Sequence, residues 1–344
     1  MSKTTDTNKS LYGLSPQEIA SLIPHAKAFR GQQIFDWVQK GIESFDQMVN
    51  IPKNLKDVLE FEGWGLFSSS ILEEQIDEDG TAKLAIRLHD GKVLECVLLT
   101  DDKGRKTACI SSQVGCAMGC TFCRTGTMGL IRNLKTAEIV EQFHLLQNRF
   151  GNISHIVYMG MGEPLANFKA VQASIEILHN PRGVNMGLRK ITISTCGIAD
   201  GIRKLAVEGP HVKLAISLVA SDNELRSSVM PINNAYPLEE LKSAVKDYQE
   251  QTGRRVTFEY VLLGGVNDSR RDANRLSDYI RHMNAIVNII PWNPGAELDF
   301  KAPSGEDVRK FTEYLTQNGV LVTRRYRRGR GVNGACGQLA TKNK

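Results

Sequence analysis

Short segments rich in β-branched residues alternate with helical segments from about residue 105 to the end of the chain. Segments such as "ISHIVYMG", "KITIST" and "VKLAISL" are typical of buried strands. The segments "KTAEIVEQFHLLQNRF" and "PLEELKSAVKDYQEQTG" have the apolar spacing of amphipathic helices. This alternation predicts an α/β fold with a parallel sheet and crossover helices. Periodicity alone leaves two arrangements open, an open doubly wound sheet and a barrel or partial barrel.

The chain before this core has a different pattern. Residues 1–64 contain short helical patterns interrupted by Gly and Pro, and they predict a small helical accessory domain. Residues 65–104 predict a β-hairpin linker region, in which the Asp-Gly pairs at positions 79 and 90 are turn signals. We therefore expect three segments: the accessory domain, the linker region and a core of residues 105–344.

Size and composition exclude several classes of protein. A chain of 344 residues with 41% hydrophobic and 24% charged residues can bury a sizeable core, unlike a disordered chain. No segment has the roughly 18 consecutive apolar residues of a membrane span, so we expect a cytoplasmic protein with no membrane part. In that reducing compartment, an odd total of seven cysteines favours metal binding or catalysis over a disulfide framework.

A basic run lies near the end of the chain. The net charge is +5, and the segment "RRYRRGR" contains Arg324, Arg325, Arg327, Arg328 and Arg330. Such a run favours contact with the phosphates of a nucleic acid, and a solvated basic turn is the alternative.

Three cysteines lie close together in the segment "CAMGCTFC": Cys116, Cys120 and Cys123. A structural zinc site normally has four protein ligands in two separated pairs, and the next cysteine, Cys196, lies far along the chain. An iron–sulfur cluster of four irons held by three thiolates keeps one iron open for another ligand. The triplet therefore favours such a cluster. Zinc, with His144 or His155 as a fourth ligand, is the alternative.

The triplet, followed after the second core strand by "MGMGEP", resembles the radical S-adenosylmethionine (SAM) superfamily, in which the open iron binds SAM. The fuller segments "CISSQVGCAMGCTFCRTGTMGLIRNL", "MPINNAYP", "EYVLLGGVND", "NIIPWNP" and "GACGQLA" resemble the RlmN/Cfr family of radical SAM RNA methyltransferases. The resemblance extends from about residue 28 to about residue 340. It implies a partial (β/α)6 barrel, a [4Fe-4S] cluster on the triplet, and two molecules of SAM per turnover.

The resemblance also implies a set of SAM contacts. They are Gly162, Glu163, Ser194, Ser217, Leu218, Val219 and Asn293. Each lies at or just after the end of a predicted strand, which is the side where barrel active sites assemble. The family usually has Ser-Leu-His where this chain has Ser217, Leu218 and Val219, so a contact at Val219 would come from backbone or an apolar surface.

Three further residues are implied to carry the chemistry on an adenosine. Cys336 would take a methyl group from one SAM, and a second SAM would provide the radical that activates this methyl group for addition to the ring. Cys109 would then form a transient disulfide with Cys336, and Glu95 would accept a proton. Without the resemblance, Cys109 would be interpreted as a buried inert thiol and Glu95 as a solvent-facing carboxylate.

The implied substrate is carbon 2 of an adenosine in the peptidyl-transferase centre of 23S rRNA, together with the adenosine 3′ to the anticodon in some tRNAs. The arginine run would anchor the RNA backbone beside Cys336. The implied partner is an electron-donating reductase or flavodoxin-like protein, and a monomer is expected by analogy. Three alternatives stay open: a carbon-8 enzyme of the Cfr type conferring antibiotic resistance, a radical SAM enzyme for peptides or small molecules, and a zinc-stabilised, non-catalytic RNA-binding module. The segment "GRGVNGAC" departs from the family pattern Asp-Ile-x-Ala-Ala-Cys.

Overall fold

A computed structural model of the chain describes residues 9–23, 27–294, 298–324, 329 and 331–340. Most of the basic run, Arg325, Arg327, Arg328 and Arg330, lies outside the described residues, whereas Arg324 is exposed at the end of the last strand. Among the described residues, no helix combines the length and the apolar composition needed to cross a membrane.

The described residues form fourteen strands and eleven α-helices. The strands are β1 (Lys9–Ser10), β2 (Trp64–Gly65), β3 (Ser70–Ile76), β4 (Ala82–Arg87), β5 (Val93–Thr100), β6 (Lys106–Cys109), β7 (Gln113–Cys116), β8 (Gly129–Asn133), β9 (His155–Tyr158), β10 (Ile191–Thr195), β11 (Lys213–Ser217), β12 (Val256–Leu262), β13 (Ala285–Pro291) and β14 (Val322–Arg324). The helices are α1 (Pro16–Ser21), α2 (Phe29–Val38), α3 (Lys53–Phe61), α4 (Arg124–Thr127), α5 (Thr136–Phe150), α6 (Phe168–His179), α7 (Ala199–Glu208), α8 (Asn223–Val229), α9 (Leu238–Thr252), α10 (Arg270–Ile280) and α11 (Gly305–Gln317).

Ten strands form one sheet in the order β14-β13-β12-β11-β10-β9-β6-β5-β4-β3. The seven strands from β14 to β6 in this order are parallel to their neighbours, and helices connect them in sequence. The strand–helix alternation predicted from the sequence is thus confirmed. Strands β5, β4 and β3 continue the same sheet as an antiparallel meander. The division of the chain into three segments at residues 64 and 104 stays a prediction.

The parallel part of the sheet curves around a cavity of about 670 Å³, which we call the barrel cavity. All seven parallel strands contribute a side chain to its wall: Thr107, Val157, Thr192, Ala215, Thr257, Asn288 and Thr323. Alternate residues on these strands, such as Ile156, Leu214 and Phe258, belong instead to the hydrophobic core that contains the apolar faces of the helices. Within the part of the chain that the structure describes, the two edge strands, β14 and β3, do not pair with each other. The fold is therefore a partial barrel, and the doubly wound alternative is wrong.

The N-terminal helices pack against the outside of this core. The ring of Tyr12 packs against that of His144 in α5 in a tilted arrangement, with the ring centroids 4.5 Å apart. His144 is fully buried there, and burial lowers the pKa of its imidazole to about 3, so that the ring is neutral. The position of His144 in this interface excludes it as the fourth ligand of a zinc site on the cysteine triplet.

Gly31 tests how closely the accessory helices pack. A Cβ atom at Gly31 would lie 2.2 Å from the carbonyl oxygen of Pro16, whereas a Cβ at Gly305, in the first turn of α11, would meet nothing within 4 Å. We expect Gly31→Ala to reduce the free energy of unfolding by about 1–3 kcal/mol because of overpacking. The control Gly305→Ala should raise it by roughly 0.5–1 kcal/mol through a less flexible unfolded chain. Urea-unfolding midpoints measure both, and equal effects of the two substitutions would contradict the packing argument.

Candidate active site

The cysteine triplet lies in a compact loop at the carboxyl end of β6. Strand β7 ends at Cys116 and pairs with β8, and Cys123 immediately precedes α4. Gly115 has φ +75°, and a Cβ atom there would lie 1.9 Å from the carbonyl oxygen of Gly129. A Cβ at Gly126 would lie 2.8 Å from the carbonyl oxygen of Cys120. Only glycine fits at these two positions, so the glycines let the backbone wrap closely around the thiols.

The three thiols line a second cavity, next to the barrel cavity, which we call the cluster cavity. Among the residues that the structure describes, no three His, Cys, Asp or Glu side chains are arranged to hold a single metal ion. A lone zinc ion needs thiolates that converge on one point about 2.3 Å away, whereas a four-iron cluster is larger and needs thiolates spread around it. The triplet offers three thiols, which is one ligand short of a closed zinc site and enough to hold three irons of a cluster, so its donor set fits the cluster better than it fits zinc.

Burial also makes the thiols dependent on a cation. It raises the pKa of the Cys116 thiol to about 11 and raises the pKa values of Cys120 and Cys123 as well. Without a positive charge between them, all three would be protonated near neutral pH. The irons of a cluster provide that charge and hold the sulfurs as thiolates.

The "MGMGEP" turn forms one wall of the cluster cavity. Gly162 has φ +98°, and a Cβ atom there would lie 2.5 Å from Cβ of Gln113. The buried Glu163 carboxylate accepts hydrogen bonds from the backbone N–H of Cys196 (2.8 Å) and of Leu165 (3.0 Å). Its own N–H donates to Oε1 of Gln113 at 2.8 Å. These bonds fix the turn between β7 and the end of β10. Burial raises the pKa of the Glu163 carboxyl group, and the hydrogen bonds from Cys196 and Leu165 oppose that rise.

The other predicted SAM contacts divide into two groups. Ser194, Ser217 and Asn293 line the cluster cavity, as do Gly162 and Glu163. Leu218 and Val219 are fully buried and line neither of the two cavities. Val219 packs with Phe122 and Trp292 in a small apolar cluster. Its φ of +62° is unusual for a β-branched residue, and its carbonyl oxygen accepts a hydrogen bond from Nδ2 of Asn267 at 2.7 Å. A SAM contact at Leu218 or Val219 stays a prediction, for which only their backbone is suited.

Cys336 lies where the two cavities meet, since it lines both of them. Its loop is bonded to the cluster loop: the N–H of Arg124 donates to the carbonyl of Gly337 at 2.9 Å, and Oγ1 of Thr125 donates to the carbonyl of Leu339 at 2.6 Å. Cys109 lines the barrel cavity together with Cys336. All seven cysteines are free in this structure, and the transient disulfide of Cys109 and Cys336 stays a prediction.

Glu95 contacts the C-terminal segment directly. It lies on β5, its Oε1 is 3.0 Å from Nζ of Lys83, and its Oε2 accepts a hydrogen bond from the N–H of Ala340 at 2.9 Å. Only 7% of Glu95 is exposed, so the solvent-facing interpretation of this residue is wrong. In this arrangement the carboxylate anchors the chain four residues after Cys336.

Sequence reasoning missed Arg226, which is completely buried beside the cluster cavity. Its guanidinium donates to the carbonyl oxygens of Cys196 (2.7 Å) and Leu218 (3.1 Å) and to Oδ1 of Asn233 (2.9 Å). The arginine thereby joins the loops that follow β10 and β11 and places a positive charge near Cys120. An arginine in a seven-residue helix carries no sequence signal for such a position. Gln113, by contrast, is part of the segment "SSQVGC" next to the triplet.

Comparisons with known proteins agree with this geometry. The family model of the radical SAM superfamily matches residues 110–276, and that of the ribosomal RNA large subunit methyltransferase N-terminal domain matches residues 9–62. A Treponema denticola protein named probable dual-specificity RNA methyltransferase RlmN is 45% identical over 332 residues, covering 96% of this chain and 95% of its own length. A Moorella thermoacetica protein of the same name is 47% identical and covers 97% of both chains.

Among solved structures, a radical SAM methyltransferase from Sphaerobacter thermophilus superposes with a TM-score of 0.93 at 41% identity. The match covers 96% of this chain and 99% of that one. The resemblance inferred from the sequence motifs is thus confirmed over almost the whole chain.

Replacing each thiol separately tests the assignment of the cluster ligands. We expect Cys116→Ala, Cys120→Ala and Cys123→Ala to lose the brown colour and most of the bound iron after anaerobic reconstitution, because each removes one of three ligands. The control is Cys196→Ala, which removes a buried thiol from the wall of the same cavity. This variant should keep both the brown colour and the bound iron. Iron and sulfide analysis with visible absorption measures the difference, and equal iron loss in the control would contradict the assignment.

Proposed function

This chain belongs to the RlmN family of radical SAM RNA methyltransferases, and we propose that it methylates carbon 2 of an adenosine in the peptidyl-transferase centre of 23S rRNA. The family uses a [4Fe-4S] cluster and SAM. One observation carries the proposal: Cys336 lines both the cluster cavity and the barrel cavity that contains Cys109. A thiol in this position can take a methyl group on one side and present it to a base on the other.

The chemistry of the target explains why a protein thiol is needed. Carbon 2 of adenine is electrophilic and has no lone pair, so it cannot accept a methyl cation directly. The bound cluster and SAM supply the methyl group and the radical that removes a hydrogen atom from it. Cys336 carries the methyl group as a thioether and becomes bonded to the ring through that carbon. The ring then gives up its unpaired electron to the redox group and the proton of carbon 2 to a base. Attack of the Cys109 thiolate on the Cys336 sulfur forms an S–S bond and breaks the S–C bond that holds the RNA, and the electron pair left on the carbon takes up a proton to give the methyl group.

Further parts of the proposal rest on the relatives. The name "dual-specificity RNA methyltransferase" of the relatives supports a second RNA substrate, and we propose the adenosine 3′ to the anticodon of some tRNAs. Because these relatives are named RlmN and not Cfr, we propose carbon 2 over the carbon-8 reaction of the Cfr type. We also propose that the protein is a cytoplasmic monomer without a membrane part, which receives its electron from a flavodoxin-like or other reductase.

Substitution of the two thiols separates the steps of this reaction. We expect Cys336→Ala to abolish methylation of a protein-free 23S rRNA fragment, because no thioether can form. We expect Cys109→Ala to form the thioether and attack the RNA but to accumulate a covalent RNA–protein adduct, because nothing breaks the S–C bond. Mass spectrometry of the RNA and denaturing gels of the protein measure both outcomes. The control is Cys96→Ala, since Cys96 is a fully buried thiol that lines neither cavity.

Several outcomes would overturn the proposal. Methylation of carbon 8 of the adenosine by the enzyme without substitutions would show that the reaction is of the Cfr type. Cleavage of SAM without any RNA product would favour a peptide or small-molecule substrate. Methylation that survives in Cys336→Ala would remove the thioether from the mechanism.

Two roles of Glu95 can be tested separately: acceptor of a proton, and anchor of the C-terminal segment through Ala340. Glu95→Gln keeps an oxygen that can accept the N–H of Ala340 but removes the base, whereas Glu95→Ala removes both. If Glu95 accepts the proton, we expect both variants to methylate RNA more slowly by about 10²–10⁴-fold, the usual contribution of a general base. The formation of S-methyl-Cys336 should then be unchanged in Glu95→Gln. Full methylation of RNA by Glu95→Gln, with loss in Glu95→Ala, would leave Glu95 only the anchoring role.

A further inference from the structure

A row of polar side chains crosses the wall of the barrel cavity on β12, β13 and β14. In the strand register, Glu259 lies directly opposite Asn288, and Asn288 lies directly opposite Thr323. Cross-strand partners project from the same face of a sheet, and all three residues line the barrel cavity. Glu259 also lines the cluster cavity, so the row begins where the two cavities join.

The two neighbours fix the orientation of the Asn288 amide. Nδ2 of Asn288 donates to Oε2 of Glu259 at 2.7 Å, and Oγ1 of Thr323 donates to Oδ1 of Asn288 at 3.0 Å. A carboxylate oxygen accepts hydrogen bonds, so the amide nitrogen of Asn288, and not its oxygen, faces Glu259. An amide has two N–H donors and two acceptor positions, and these two bonds use one of each. Asn288 makes no other side-chain hydrogen bond within the described residues, so one donor and one acceptor remain, in a fixed orientation, for a molecule in the cavity.

A donor next to an acceptor on an asparagine matches adenine, since Asn binds the N6 amino group and N7 of adenine with two hydrogen bonds. Enzymes that modify a base take it out of the stack into a pocket, where it is recognised by hydrogen bonds to its edge. Carbon 2 lies on the opposite side of the base from the N6–N7 edge, whereas carbon 8 is bonded directly to N7. Binding by Asn288 at this edge would leave carbon 2 accessible and crowd carbon 8.

On the basis of the proposed function, we infer that Asn288 binds the N6–N7 edge of the target adenine and so determines which carbon faces Cys336. Glu259 and Thr323 are positioning residues, which act by orienting the Asn288 amide. SAM also contains an adenine, but Asn288 lines the barrel cavity and not the cluster cavity, in which Gly162 and Ser194 lie. Asn288 is therefore assigned to the RNA base.

The test combines protein variants with atom substitutions in the RNA. A protein-free 23S rRNA fragment is assembled with adenosine, 7-deazaadenosine or purine riboside at the target position. Enzyme that already carries S-methyl-Cys336 is mixed with each RNA, and methyl transfer is followed in a single turnover. We expect Asn288→Ala to be about 10-fold to about 100-fold slower on adenosine, as for loss of one bidentate contact. The enzyme with Asn288 intact should be slower by a similar factor on 7-deazaadenosine or purine riboside than on adenosine. The rate of Asn288→Ala should fall little further when these RNAs replace the adenosine RNA.

Two further variants test the positioning role of Thr323. Thr323→Val removes the hydroxyl that orients the amide and should slow methyl transfer by a smaller factor than Asn288→Ala does. Thr323→Ser keeps the hydroxyl and should keep the rate of methyl transfer. Asn274→Ala is the control, since Asn274 bonds Asn318 on the outside of the barrel. Methylation of Cys336 by SAM should be unchanged in Asn288→Ala.

The possible failures are distinguishable. If the losses from Asn288→Ala and from 7-deazaadenosine multiply in full, the amide does not contact N7, and the inference is overturned. If methylation of Cys336 falls as well, Asn288 serves SAM or the fold and not the RNA base. If unmodified enzyme gives no product at carbon 2 of adenosine itself, the proposed function fails, whatever the variants show.

Discussion

The parallel hydrogen-bonded ladder from β6 to β14 is the constraint on which the rest of the molecule depends. Parallel strands direct all their carboxyl ends to the same side of a sheet. The cysteine loop after β6, the "MGMGEP" turn after β9, and the strand ends at Ser194, Ser217 and Asn293 therefore meet at one cavity. Residues separated by most of the length of the chain become neighbours without any local sequence signal that joins them.

The C-terminal loop depends on this site in turn. Hydrogen bonds from α4 hold Gly337 and Leu339, Glu95 holds Ala340, and Asp79 in the turn between β3 and β4 accepts a bond from the N–H of Gly329. The antiparallel meander thus supplies anchors for the loop that carries Cys336. A loop bonded at several points keeps its thiol at the junction of the two cavities, which is the position that the proposed function requires.

Buried charges around the cluster cavity are satisfied mainly by backbone groups. Glu163 accepts two N–H groups, and Arg226 donates to the carbonyl oxygens of Cys196 and Leu218. Leaving such groups unpaired in the interior would be costly, so these bonds also define the conformation of the loops after the strands. The loop after β10 is bonded to both of these charged side chains, because the backbone of Cys196 donates to Glu163 and accepts from Arg226. The unusual φ of Val219 occurs in the neighbouring loop, where Asn267 holds the carbonyl oxygen.

The sequence by itself determined the alternation of strands and helices, the cysteine triplet, the "MGMGEP" turn and the C-terminal thiol, because each is encoded within a short stretch of neighbouring residues. Only the tertiary structure decided that the parallel sheet curves into a partial barrel, that Leu218 and Val219 face the interior, and that Glu95 binds the C-terminal segment. It alone showed Arg226 next to the cluster cavity and the row formed by Glu259, Asn288 and Thr323. The physical reason is that strand register and the packing of distant loops arise from long-range hydrogen bonds and burial, which the periodicity of a single segment does not contain.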